Sequence, residues 1–146
     1  MKNIVLLLLG FLFYFNASGQ AYEKLKESDV QPEKKGIAQK FVVDYFTAQK
    51  NGQFYEFKDE ATEAIKKQLT EANQIAGYNV LKNNFGDFKA AIYTETWMPK
   101  DHPSFKILRF KADFDKSTQK LEIRVILNDS NHIAGFWVKP WADALM

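Results

Sequence analysis

Gln119-Lys120-Leu121-Glu122-Ile123-Arg124-Val125-Ile126-Leu127-Asn128 is the stretch on which the fold turns. Leu121, Ile123, Val125 and Leu127 fall on one side of an extended chain, and Glu122, Arg124 and Ile126 fall on the other. A strand with one wholly apolar face belongs to an antiparallel sheet packed against a second layer. Upstream, Phe105–Phe114 repeats the pattern, with Leu108, Phe110, Ala112 and Phe114 set against the solvent-side positions Arg109, Lys111 and Asp113. Before it, Asp87–Met98 is rich in aromatic and β-branched residues and stops at Pro99. Downstream, Asn128-Asp129-Ser130-Asn131 has turn chemistry, and His132–Val138 supplies a last strand before Pro140. Four strands joined by short connections predict an antiparallel meander.

The N-terminal half has a helical period instead. Ile37, Phe41, Tyr45 and Ala48 share one helical face from about Lys35 to Asn51-Gly52, where glycine is the natural stop. A second helix is expected over Phe54–Leu69, with Phe57, Ala61, Ala64 or Ile65, and Leu69 at three- and four-residue steps. Thr70 is placed to cap a third, Glu71–Asn83, striped by Ile75, Tyr78 and Leu81. Helices first and strands afterwards indicate an α+β fold: three N-terminal helices packed on one face of a four-stranded antiparallel sheet, with strong bending turning the sheet into a cone.

The chain begins with the layout of an export signal. Met1-Lys2-Asn3 is basic, Ile4–Phe15 is apolar, and Asn16–Ala21 is small and polar. The apolar run is short for a membrane span, which takes about 20 residues. The expected organisation is a signal peptide at 1–19, a polar arm at 20–35 and one domain at 36–141. Cleavage falls after Gly19, with Ala21 the neighbouring alternative, and the product is exported, to the periplasm or beyond the cell. With no cysteine there is neither a disulfide framework nor a thiol nucleophile. The formal charge of +2 is carried almost entirely by scattered lysines, since Arg109 and Arg124 are the sole arginines. That argues against a nucleic-acid surface, which concentrates arginine.

A resemblance follows from Ala38-x-x-Phe41-Val42 leading to Asn51-Gly52-Gln53-Phe54, and from Leu69 with Thr70. Leu81-x-x-x-Phe85-Gly86-x-Phe88 and the ending Ile133-Ala134-Gly135-Phe136-Trp137-Val138-x-Pro140 complete it. Over about Ile37–Pro140 the pattern resembles an exported bacterial domain of unknown function of the nuclear-transport-factor-2-like (cystatin-like α+β cone) superfamily. The resemblance implies a cone-shaped fold with room for a pocket, and relatives that serve as accessory modules beside hydrolase domains. It brings no catalytic residue with it.

Chemistry inside a cone needs a carboxylate or imidazole held in an apolar setting. Asp44, Glu95 and His132 are the residues to consider, each more economically read as solvated: Asp44 at the rim beside Tyr45, Glu95 on the outer face of its strand, His132 in a turn. His102 and His132 do not approach the three or four ligands of a zinc site, so no metal and no cofactor are expected. Thirteen Phe, six Tyr and three Trp are first of all core. The sharper expectation is that Tyr45, Tyr78, Tyr93 and Trp97 line a pocket for a small hydrophobic or amphipathic ligand. Phe105, Ile107, Ile126 and Trp137 would then form an apolar face on the sheet for a homodimer. A non-enzymatic binding or accessory module is the leading expectation. A protein-interaction subunit dimerising through the sheet and a small isomerase- or hydrolase-like enzyme are the alternatives. The expected partners include no nucleic acid, and no membrane once the leader is removed.

Overall fold

Pro32 opens the long helix of the molecule, where its missing amide and fixed φ suit the first helical position. The structure is a computed structural model and describes residues 21–145; the expected leader, 1–19, lies outside them. Helix α1 (Pro32–Lys50) ends at Asn51 and Gly52, the latter at φ +70°. Helix α2 (Glu63–Gln68) and helix α3 (Glu71–Phe85) follow, capped by Thr62 and Thr70, whose side chains accept from the amides of Ile65 and Asn73. Four long strands succeed them: β2 (Phe88–Pro99), β3 (Lys106–Phe114), β4 (Leu121–Leu127) and β5 (Ile133–Pro140). Strand β1 (Tyr22–Lys24) precedes the helices and pairs with β2, Tyr22 facing Pro99 and Lys24 facing Trp97.

Strand order is β1-β2-β3-β4-β5, antiparallel throughout. Two expectations are corrected here. The sheet has five strands, because the segment expected as a loose polar arm supplies β1 and then a 3-10 turn at Glu27–Asp29. It is also neither curved nor closed, so the cone and the resemblance that implied it do not hold. The central pair β3–β4 runs in unbroken register from Lys106–Leu127 to Ala112–Leu121, and the register shifts are confined to β2–β3 and β4–β5. The second helix is also shorter than its periodicity predicts. Tyr55 is held in extended chain by the Gln74 side chain, which bonds both its N–H and its C=O. Thr62 and Glu60 then exchange backbone bonds with Ile133. Those tertiary bonds outcompete the helical ones between Phe54 and Thr62.

The helices cover one face of the sheet. Phe41, Val42, Tyr45 and Phe46 of α1 are buried against Leu108, Phe110, Leu121, Ile123, Val125 and Phe136. The rings pack on one another, Tyr45 4.9 Å from Phe136, Phe41 5.0 Å from Phe136 and Phe46 5.3 Å from Phe88 between centroids. The two Phe136 pairs are edge-to-face, and pairs of that kind add about 0.5–1.5 kcal/mol each beyond the area they bury. The product is a single compact α+β domain with a buried aromatic cluster.

Gly86 ends α3 at φ +86° and ψ −161°, a region open essentially to glycine alone. A Cβ there would lie 2.7 Å from the backbone nitrogen of Lys116, in the turn after β3. Gly52 has positive φ but open space around it. Gly86→Ala is therefore expected to cost about 3 kcal/mol of unfolding free energy, through strain and steric overlap together. Gly52→Ala should cost about 1 kcal/mol. Urea unfolding of both variants checks the difference, and equal losses would contradict it.

Candidate functional site on the outer face of the sheet

The face turned away from the helices is built in cross-strand rows. Trp97, Ile107, Ile126 and Gly135 stand side by side, then Glu95, Arg109, Arg124 and Trp137, then Lys111, Glu122 and Lys139. Alternation sends these residues outward as Leu108, Phe110, Ile123 and Val125 go inward. A solvated row of charges is the ordinary result of such a pattern, but here the charges are buried. Arg109 and Glu122 are each 0% exposed, Arg124 4% and Glu95 8%.

The buried charges bond to one another in a line. Arg109 donates through Nη1 to Glu95 Oε1 (2.5 Å) and through Nη2 to Glu122 Oε2 (2.8 Å). Arg124 Nε donates to Glu122 Oε1 at 2.5 Å. At the other end Lys24 Nζ pairs with Glu95 Oε2 at 2.5 Å, and the Trp97 indole N–H donates to Glu95 Oε1 at 2.8 Å. Burial pushes the Glu122 carboxyl up, and the bonds from Arg109 and Arg124 more than offset it, leaving it below the usual carboxylate range. Glu95 is held low in the same way, burial opposing and Lys24, Trp97 and Arg109 prevailing. Beside them, burial and then the charge of Arg124 push the Lys139 ammonium below its ordinary value.

The chain after β5 folds back over this line. The Trp141 amide donates to Lys120 O at 3.1 Å, and its ring lies 4.2 Å from the Arg109 guanidinium carbon and 4.6 Å from Lys111 Nζ. Arg109 Nη2 also donates to Ala142 O at 2.5 Å. Leu145 joins an apolar cluster with Ile107, Ile126, Ala134, Tyr22, Trp97, Phe105 and Trp137. The Trp137 ring lies 5.1 Å from the guanidinium carbon of Arg124. All three tryptophans and both arginines of the protein thus stand on one face, each tryptophan partly exposed.

The four aromatic residues expected to share a pocket are divided between the two faces. Tyr45 is buried among Phe41, Phe46, Tyr55 and Phe136; burial pushes its hydroxyl up, and the hydroxyl has no hydrogen-bond partner. Tyr78 donates to Asp87 Oδ1 at 3.0 Å and accepts from the Phe88 amide at 3.2 Å, with burial raising its pKa to about 12. Tyr93 bonds Thr96 Oγ1 at 2.9 Å and packs on Phe110. Trp97 faces outward, because a register shift between Tyr93 and Glu95 exchanges the faces of β2.

Phe105, Ile107, Ile126 and Trp137 do come together, but not as an open dimer face. Ile107 is 2% exposed and Ile126 4%, and Leu145 of the same chain packs against the cluster they form with Ala134. The homodimer expectation is corrected on that ground. Among the acid–base candidates, Asp44 is half-exposed and paired with Lys40, and His132 lies in the β4–β5 turn with its amide bonded to Asn128 Oδ1. Glu95 does lie on the outer face, although buried and paired where a solvated carboxylate was expected. These three stand on different parts of the molecule. No group of three or more His, Asp or Glu residues among the described residues is arranged to hold a metal ion.

Sequence reading missed the buried Arg109, Glu122 and Arg124 because alternating charge has the pattern of a solvated face. The signal that could have found them is compositional: the two arginines stand among lysines, Arg109 opposite Glu95 across a strand pair and Arg124 two residues from Glu122 on its own strand. Arginine is the residue suited to buried, bidentate pairing. Glu122→Gln is expected to cost about 3–5 kcal/mol at neutral pH, since it leaves two buried guanidinium groups short of a counter-charge. Because the Glu122 pKa is depressed on folding, its stabilisation is complete above its ordinary value of 4.5 and is lost as pH falls through the lower folded value. Melting curves of both proteins should therefore converge as pH drops below that value; a gap that stays constant would contradict the pairing.

No protein-family model, no curated protein and no solved structure matches the chain. Nothing among known proteins therefore supports the cone-superfamily resemblance, the secreted or periplasmic assignment or the homodimer expected from the sequence, and the open five-stranded sheet argues against the resemblance directly.

Proposed function

We propose that the protein is a non-enzymatic binding module whose recognition surface is the tryptophan-bearing outer face of the sheet, taking a small amphipathic ligand. The observation that carries this reading is the gathering of Trp97, Trp137 and Trp141 on one face, with Trp141 over Arg109 and Trp137 over Arg124. Tryptophan combines a large apolar ring with one donor, and partly exposed indoles beside fixed charges suit a ligand with an apolar body and a polar end. The inner aromatic residues are a poorer candidate, because Phe41, Tyr45, Phe46 and Phe136 fill the space between helix and sheet with one another. Catalysis is disfavoured by the same geometry. Glu95 and Glu122 are locked in pairs and held ionised, while Asp44 and His132 sit apart from them.

The three indole N–H signals in a ¹H–¹⁵N spectrum report on this face directly. Addition of octyl glucoside below its micellar concentration is expected to shift the Trp137 and Trp141 signals saturably and to leave the Tyr45 and Phe46 amides of α1 in place. Shifts confined to α1 would move the binding site to the helix side, and no saturable shift anywhere would overturn the reading.

A further inference from the structure

Residues 141–145 lie lengthwise over β3 and run against it. The Trp141 ring stands over Lys111 and Arg109, the carbonyls of Ala142 and Asp143 face Arg109, and Leu145 packs on the cluster that holds Ile107. Lys111, Arg109 and Ile107 are successive outward positions of β3. They span about 13 Å, at about 3.3 Å per residue. Trp141 and Leu145 are likewise four residues apart. The segment is thus a strap that follows the face row by row.

The sheet does not need the strap for its charge pairing. Arg109 donates through Nη2 to Ala142 O at 2.5 Å and brings Nη1 to 3.5 Å from Asp143 O. The same two nitrogens donate to Glu122 and Glu95, so each keeps a carboxylate when the strap leaves. Departure returns a buried guanidinium to water, which removes the cost of desolvating it. The bond from the Trp141 indole to Asp143 Oδ1 lies within the strap and travels with it. Asp143 and Ala144 are exposed, and Trp141, Ala142 and Leu145 are only partly covered. We propose that the outer face is a recognition site for a short peptide segment carrying an aromatic residue and, four residues on, an aliphatic one, and that residues 141–145 occupy this site in cis.

A peptide main chain is the chemistry that suits Arg109. Glu95 and Glu122 already balance it, and a further carboxylate there would meet two of its own sign. Neutral carbonyls accept from Nη1 and Nη2 without adding charge, as those of Ala142 and Asp143 do. The aromatic residue is selected by Lys111 and Arg109, since cations are drawn to the face of an aromatic ring. The aliphatic one is selected by Ile107, Ile126 and Ala134 with Trp97 beside them. A tethered occupant so close to β5 competes at an effective concentration of about millimolar, and an incoming segment binds by displacing it.

The inference rests on the outer face being the binding surface, names its ligand as a peptide, and gives Trp141 the place of the ligand's ring. The probe is a synthetic peptide with the sequence of residues 141–145, acetylated and amidated, titrated into the ¹⁵N-labelled full chain. Trp141→Ala combined with Leu145→Ala removes the two side-chain holds of the strap and opens the face. In that variant the peptide is expected to shift the Trp97 and Trp137 indole signals saturably, towards their positions in the unaltered protein. It should bind the unaltered protein at least about tenfold more weakly, because the strap is in place. The same peptide with alanine at both ends should bind the variant at least about tenfold more weakly as well. Equal affinity for the two proteins would overturn the strap, and equal affinity of the two peptides would overturn the recognition pattern. Should the variant not fold, amide exchange in the unaltered protein decides. The Trp141 amide should exchange at least about a hundredfold faster than that of Ile123 in β4, and equal rates, which mean that the strap opens only on global unfolding, would overturn the proposal. Peptide that leaves Trp97 and Trp137 of the variant unmoved, while octyl glucoside still shifts Trp137 of the unaltered protein, would overturn the peptide site alone. Silence to both probes would overturn the binding face with it.

Discussion

Glu122 is the constraint around which the sheet is organised. It is fully buried, and it holds its charge because Arg109 and Arg124 each give it one direct bond. Removing a carboxylate from water is expensive, and its cost is offset only when several good donors surround it. Those donors come from neighbouring positions on β3 and β4, so strand pairing and charge pairing depend on each other. The C-terminal turn completes the arrangement, because Trp141 covers the Arg109 guanidinium and the Ala142 carbonyl accepts a second bond from the Nη2 that also donates to Glu122.

The two faces of the sheet set the register between them. Because strand alternation has a period of two, a slip of β4 by one residue would drive Glu122 and Arg124 among Phe110, Phe136 and the rings of α1, and would turn Ile123 and Val125 outward. A purely apolar outer face would tolerate such a slip far better. The buried charges therefore act as a specificity device for strand pairing, whatever they contribute to net stability. The inner face does the complementary work by close aromatic packing, in which Phe41 and Tyr45 of α1 both meet Phe136 of β5.

Much of this arrangement was legible in the residues, and the parts that were not have physical causes. The alternation of Leu121, Ile123, Val125 and Leu127 identifies β4 and its inward face because nothing in that stretch competes with the period. The Thr70 cap and the Gly52 stop are equally local, each fixed by its own residue's chemistry. Strand β1 escaped because Tyr22-Glu23-Lys24 has no pattern of its own; its place comes from β2. The segment Phe54–Thr62 has a helical period but is drawn out by bonds to Gln74 and Ile133, residues remote in sequence. At the candidate site, Trp97 was assigned to the wrong company because a one-residue shift in β2 cannot be seen in a period-two pattern. Burial of Arg109 depends on Trp141, which lies beyond the last strand.

The placement of β1 also bears on the order in which the molecule can be built. Among the described residues Tyr22–Lys24 leaves the ribosome before any helix, yet its only ladder partner there is Trp97–Pro99. Lys24, one end of the charge line, depends on Glu95 in the same way. Until about two-thirds of the chain has been made the strand lacks this partner, and closing so long a loop is slow compared with forming α1 or α3. The first of the described strands to be translated is thus a late arrival in the sheet, and its polar, unpatterned sequence is well suited to waiting in water without sticking to other chains.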